Sequence, residues 1–361
     1  MKITALRTIA LSYPFTCPLG TPYSDTGRMG ALAVFVDTDQ GVTGEGLIIA
    51  VHDKRVGVHA AMVQSFAPLV VGRDPTFSEA ILDAAQKDAS HLGSTGATMM
   101  AIGAIDGALL DLRAKLAGLP VHKFLGAVRD RVPAYYSSGL WNHVPTEKLV
   151  ATARNIVAHG YRAMKVRVSV ENPARQVERI RAVREAVGDD VKILVDAGRR
   201  FTVAQAIRLG RLLEPYRLEW FAEPLAGEDH AGEAEIARAL DTPLASGEGV
   251  FSVEEFAHMI ETRCVDVLMP DLCRIGGPSQ FIRVAHLAEA AKMPVSGHVL
   301  PEHTLALMAT LRNGTFLEVM PWSAPLFADQ IRIDNGFAIA SDKPGWGHAL
   351  DPKALEKYKV G

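Results

Sequence analysis

VKILVDAGRRF at residues 191–201, LEWFAEPLAG at 218–227 and TPLASGEGVF at 242–251 decide the fold of this chain. Each holds a short apolar run that ends on an acid: Asp196, Glu223 and Glu248. The steps between the acids are 27 residues (223 − 196) and 25 (248 − 223). Such a step accommodates one strand, one helix and two loops, so each acid closes the strand of a βα unit. Three carboxylates at the same end of neighbouring parallel strands converge and repel one another unless a cation neutralises them. An all-oxygen donor set favours Mg²⁺ over zinc, which makes Asp196, Glu223 and Glu248 the candidate metal ligands.

The same beat runs outward in both directions. Upstream, YRAMKVRVS places Lys165 and Arg167 at an earlier strand end, Lys165 standing 31 residues before Asp196. Downstream, VDVLMPD ends on Asp271, MPVSGH on His298 and TFLE on Glu318, at steps of 23, 27 and 20. One acid after a strand is commonly a loop charge or a helix cap, but seven successive strand ends in register are not explained that way. A steady pitch of parallel strands predicts a β/α barrel.

The chain has 361 residues, enough for a barrel and one smaller domain. Apolar residues make up 48%, sufficient for a large core, and the net charge of −3 comes without a basic run. Nucleic acid and membrane partners are therefore not expected. The interrupted apolar pattern of MKITALRTIALSYPF is not that of a signal peptide, and no stretch approaches a spanning helix. Cys17, Cys264 and Cys273 are scattered and odd in number, which suits reduced thiols and a cytoplasmic location.

Three units are expected: a capping α+β domain over residues 1–127, a barrel over 128–322, and a segment over 323–361 that returns to the cap. Lys2–Leu11 and Ala31–Asp37 are rich in β-formers, with a hairpin turn at Asp39–Gly41, and Tyr13–Gly30 is long enough for a lid or binding loop. ATMMAIGAIDGALLDLRAKLAG is apolar nearly all round, as a buried helix is. In the barrel, VPAYYSSG supplies a first strand, Pro145-Thr146 opens a helix, and Asn172-Pro173 opens the next, with Val177, Ile180, Val183 and Val187 inward.

On these residues the chain resembles the enolase superfamily, in its mandelate racemase and muconate lactonizing branch. The resemblance extends over the whole length, including IGAIDGALLDLRAKLAGLPVHKFLG, MPDLCRIGG and SGH. It implies an N-terminal α+β cap on a modified (β/α)7β barrel, Mg²⁺ on Asp196, Glu223 and Glu248, a His298–Asp271 pair, and an electrophilic Glu318. A homo-oligomer is expected. The chemistry also follows from the residue types. A carboxylate substrate on Mg²⁺ has an acidified α-proton, Lys165 adds charge to the same oxygen, and His298 is the base, with Asp271 holding its tautomer. Glu318, if protonated, donates a hydrogen bond to the enediolate.

Two departures from the family pattern carry information. The usual Lys-x-Lys of the second strand is Lys165-Val-Arg167 here, and arginine accepts a proton poorly while gripping carboxylates and hydroxyls well. A racemase needs a base on each face of the α-carbon. With His298 alone, one-sided abstraction and loss of a β-hydroxyl is the expected reaction: dehydration of a sugar acid to a 2-keto-3-deoxy acid, with racemisation, epimerisation or cycloisomerisation as the alternative. The second departure is Asp196-Ala-Gly198, where the family often has Asn at the third position. Arg199 and Arg200 follow; solvated surface charges are the commoner role for such residues, and contact with a second carboxylate of a diacid is the alternative. His52, with the segment around it, is a candidate substrate contact, as is Arg167.

Overall fold

The computed structural model describes residues 1–20, 27–226 and 229–360. The chain starts as a three-stranded antiparallel sheet of β1 (Ile3–Pro14), β2 (Arg28–Thr38) and β3 (Thr43–Ile49). The β2–β3 turn is made where Gly41 takes φ 75°, which only glycine adopts without strain. Five helices follow: α1 (Val56–Ser65), α2 (Ala67–Val70), α3 (Ser78–Asp88), α4 (Gly96–Leu116) and α5 (Val121–Phe124). Residues 21–26 of the expected lid lie outside the described residues.

The helix α4 is buried on all sides because it is sandwiched. One side lies on β3 so closely that a Cβ on Gly44 or Gly46 would stand 2.0 Å from the carbonyl oxygens of Ala108 and Ala104. The other side meets the barrel, where a Cβ on Gly103 would stand 2.7 Å from the backbone nitrogen of Gly277. Asp106 completes this seam by accepting hydrogen bonds from the Ser279 N–H at 2.7 Å and its hydroxyl at 2.9 Å.

Eight parallel strands form the barrel: β4 (Arg131–Tyr136), β5 (Ala163–Arg167), β6 (Lys192–Asp196), β7 (Trp220–Ala222), β8 (Leu244–Ser246), β9 (Val267–Leu268), β10 (Val295–Gly297) and β11 (Gly314–Val319). Pairing of β11 with β4, in register Leu317 to Ala134, closes it. Seven helices connect the eight strands: α6 (Thr146–Ala158), α7 (Pro173–Val187), α8 (Val203–Leu213), α9 (His230–Ala239), α10 (Val253–Thr262), α11 (Pro278–Ala290) and α12 (Pro301–Met308). This is the expected (β/α)7β arrangement. Tyr135, Trp220 and Phe316 pack edge to face inside the barrel, beneath the strand ends.

After β11 the alternation stops. A hairpin of β12 (Ile333–Asp334) and β13 (Phe337–Ile339) pairs antiparallel with the start of β4. Trp346 then donates its indole N–H to the Glu45 carbonyl at 3.0 Å, and α13 (Pro352–Tyr358) packs against β1. Among the described residues no helix is long and apolar enough to cross a membrane.

Candidate active site

Parallel strands deliver their C-terminal residues to one end of the barrel, and the acids arrive there as the spacing predicts. Asp196 is the last residue of β6, Glu223 follows β7, Glu248 lies two residues past β8, and Glu318 is carried by β11. Asp196 and Glu318 are fully buried and Glu223 is 3% exposed. The backbone is strained around them: Arg199, Glu223, Val299 and Leu300 all take positive φ, as does Val51 of the cap. Left-handed conformations in branched residues cost energy and persist where they aim a side chain.

The carboxylates are not left alone. Lys165, buried on β5, places its ammonium 2.5 Å from Glu318 and 3.2 Å from Asp196. Arg167 forms an ion pair with the same Asp196 oxygen and lies over the ring of Trp141, 5.6 Å from its centroid. Glu223 accepts from the Ser246 hydroxyl at 3.1 Å and from the N–H groups of Gly247 and Glu248 at 2.8 and 3.1 Å.

His298 sits between acids. Its Nδ1 is 2.7 Å from Asp271 Oδ2, and its Nε2 is 3.0 Å from Glu248 and 3.5 Å from Glu318. Asp271 is itself aimed by the N–H groups of Cys273 and Arg274, which donate to Oδ1 at 2.8 and 3.0 Å. Burial opposes charge on His298, but Glu248, Glu318 and Asp271 outweigh it and lift the imidazole to about 10. Burial likewise opposes charge on Glu318, yet Lys165 and His298 hold it down at about 2. Sequence reasoning assigned Glu318 a donor's role only if protonated, and its nearest neighbours, Lys165 and His298, favour the carboxylate instead. Burial and then Glu248 push Glu223 upward, whereas His298, Lys165 and Arg167 overcome burial to pull Glu248 well below the carboxylate range.

The donor set suits a hard cation. Asp196 Oδ2 and Glu248 Oε2 are buried carboxylate oxygens that already face cations, Lys165 and Arg167 on the first and His298 on the second, as hard oxygen donors do. Asp196, Glu223 and Glu248 nonetheless stand further apart than a closed metal shell. Among the described residues, the one trio of His, Cys, Asp or Glu ligand atoms all within 4.8 Å of one another is His230 and Glu233 of α9 with Cys264, just past α10. Lys165 and Arg167 pair with Asp196, and His298 with Glu248.

Above the acids is a cavity of about 1150 Å³. The cap contributes Phe15 and residues 52–55 to its wall, and the barrel contributes Trp141, His143, Arg167 and Arg200. His52 is exposed on this wall. Arg28 donates to the Ser12 hydroxyl and carbonyl at 2.8 and 2.7 Å, and that hydroxyl donates to Asp53 at 2.7 Å, which anchors the 52–55 segment. The two arginines after β6 part company: Arg200 lines the cavity, while Arg199 turns towards Glu223, 3.6 Å away. Sequence reasoning missed Trp141, which carries no charge to mark it, although it stands five residues after the Tyr136 that ends β4.

This arrangement of cap, barrel and buried acids is shared with known proteins. The model for the mandelate racemase/muconate lactonizing enzyme N-terminal domain matches residues 6–126, and that for the enolase C-terminal domain-like fold matches 148–354. The chain belongs to this family. Its relatives include L-talarate/galactarate dehydratase of Salmonella typhimurium, 34% identical over 96% of this chain and 89% of that protein. Another is 3,6-anhydro-alpha-L-galactonate cycloisomerase of Streptomyces coelicolor, 30% identical over 96% and 98%. A crystal structure of L-talarate dehydratase from Polaromonas sp. JS666, complexed with Mg and L-glucarate, superposes with TM-score 0.93 at 32% identity, covering 100% of this chain and 98% of that one. Family membership makes the chain an enzyme, and magnesium is the metal of its solved relatives.

Proposed function

We propose that this protein is a magnesium-dependent dehydratase of polyhydroxy acids, with Asp196, Glu223 and Glu248 as the metal ligands. Mg²⁺, when bound, supplies positive charge to the substrate carboxylate and so acidifies its α-proton. With the charge of Glu248 taken up by the bound cation, His298 would lose the partner that raises it most, and its Nε2 removes that proton, with Asp271 on Nδ1 supporting the imidazolium. Lys165 stands against the carboxylate oxygen on which charge develops. The electron pair left on the α-carbon expels the β-hydroxyl, which departs as water with the proton that His298 returns. The enol then becomes the 2-keto-3-deoxy acid by tautomerisation. Arg167 faces the substrate as a donor and not as a base.

The observation that carries this proposal is the pairing of Arg167. The second-strand position that would serve the opposite face of the α-carbon holds a guanidinium locked between Asp196 and Trp141. It stays protonated at any working pH. Cationic Lys54, Arg55 and Arg200 on the cavity wall favour a diacid over a monoacid.

The test is a library of aldarates and aldonates incubated with enzyme and Mg²⁺ in D₂O, followed by proton NMR of both pools. The expected product is a keto acid with deuterium at C3, while recovered substrate keeps its configuration. Inverted, C2-deuterated substrate without keto acid refutes dehydration in favour of racemisation. We further propose the unit boundaries at about 127 and 322, action in the cytoplasm, and a homo-oligomer, which the exposed Phe77 and Leu92 of the cap, each 68% accessible, support.

A further inference from the structure

The helix α7 contains a side chain that its amphipathic pattern does not call for. Arg179 lies among the inward residues Ile180 and Val183 and is 1% exposed. Its guanidinium donates from Nη1 to the Val144 carbonyl and from Nη2 to the Trp141 carbonyl at 2.7 Å. Trp141 and Val144 are the first and last residues of a turn closed by the Val144 N–H, 3.2 Å from the same Trp141 carbonyl. One planar fork therefore grips both ends of a single turn. Nε is buried without a partner, and the charged group acting on Arg179 is Arg175, another cation. A guanidinium buried against neutral carbonyls stabilises a fold poorly, and an apolar side chain would fill the site at lower cost. Its geometry explains its presence better than stability does, because a five-donor fork fixes direction as well as distance.

The gripped turn forms part of the cavity wall through Trp141, Asn142 and His143. Trp141 is also the ring on which Arg167 lies, and the Leu140 carbonyl just before it accepts from the Arg167 N–H at 2.9 Å. From α7 the neighbouring Gln176 holds the adjoining loop in the same manner, donating to the Glu171 carbonyl at 2.9 Å. We propose that Arg179 is a positioning residue for substrate recognition: it sets the 141–144 turn, and through Trp141 the direction of Arg167, without touching substrate. This rests on the cavity being the substrate site.

The experiment uses Arg179→Met and Arg179→Lys in protein labelled with 5-fluorotryptophan, the Trp141 resonance being assigned with Trp141→Phe. In Arg179→Met the fluorine signal of Trp141 should shift and broaden while those of Trp220 and Trp346 stay in place. Millimolar guanidinium should restore it in Arg179→Gly. With galactarate as the probe, KM should rise about 10- to 100-fold, the scale of a displaced binding wall, and kcat should change far less. An unmoved Trp141 signal in both variants overturns the proposal. So does a general shift of all the signals with lowered melting temperature, since that marks a merely structural arginine. Failure of the wild type to dehydrate any acid would defeat the dehydratase proposal instead, and the fluorine spectra would still decide the placement of the turn.

Discussion

Replacing Asp271 with asparagine should disable the enzyme while leaving its shape and its substrate affinity intact. The two backbone N–H groups of Cys273 and Arg274 both point at Asp271 Oδ1. In Asp271→Asn they keep the amide oxygen on that side, because turning the amide over would set its NH₂ against two donors. The loss of those bonds would cost about 1–3 kcal/mol for each donor left unpaired. The amide NH₂ must then face His298 Nδ1, which lies 2.7 Å from the opposite oxygen. In the neutral ring that must act as the base, Nδ1 is forced to accept, the ring proton moves to Nε2, and the atom meant to take the α-proton is already protonated. In hydrolase triads the same wrong tautomer lowers turnover about 10⁴-fold, or about 5.5 kcal/mol of barrier. The assay is kcat for keto-acid formation together with C2 exchange in D₂O, beside circular dichroism and calorimetric binding of substrate with Mg²⁺. Both rates should fall together while binding stays within about threefold, since nothing that holds the substrate has changed. A fall of less than tenfold, or retained exchange with lost elimination, would refute the tautomer argument.

Three further outcomes follow from other parts of the molecule. Asp196→Asn should abolish calorimetric Mg²⁺ binding, because it removes one of the three carboxylate charges proposed to hold the cation; an unchanged titration would place the metal elsewhere. His298→Asn should lose at least about 10²- to 10⁴-fold in kcat, the range for a general base, with substrate binding retained; normal turnover alongside a dead Arg167→Met would show that the base had been misassigned. Glu302, buried in α12 and accepting from the Ser323 hydroxyl at 2.6 Å, is pushed by burial to about 7. An acid that holds its proton more tightly folded than unfolded loses stability as pH rises from about 4.5 towards 7, and the loss levels off above that. Glu302→Gln should therefore match wild type at pH 4 and exceed it by up to about 3 kcal/mol at pH 8 in urea unfolding, given about 1.4 kcal/mol per pKa unit; equal curves at both pH values would contradict this.

The barrel was legible because its period repeats. Each apolar run ended on a charged residue near the same phase, and parallel strands convert phase in sequence into position at one end of a cylinder. Asp196, Glu223, Glu248, Asp271, His298 and Glu318 come together for that reason. What the pattern lacked was the pairing among them. Whether Glu318 holds a proton depends on its neighbours, which are Lys165 and His298, and distances across a barrel are not written in spacings along the chain. Arg179 was hidden differently: a helical wheel shows Val177, Ile180, Val183 and Val187 and assigns an arginine between them to solvent. Only the fold shows that a turn from another βα unit lies underneath it. The strained φ values at Val51 and Glu223 left no trace either, since neither is glycine or asparagine.

The glycine seam along α4 bears on how substrate enters. With Gly44 and Gly46 on one side and Gly103 against Gly277 on the other, this helix has no slack in which to slide. The strand-end loop that begins at Asp271 continues directly into the Gly276–Gly277 contact and the Ser279 bonds to Asp106. Any swing of the cap would drag Asp271 away from His298 and dismantle the base. The cap is thus a fixed lintel, welded to the one loop that the chemistry cannot spare. The wall segments 52–55 and 141–144 lie outside this seam and can be altered one at a time. Diversification of the substrate can proceed at those segments while the proton-transfer machinery stays undisturbed.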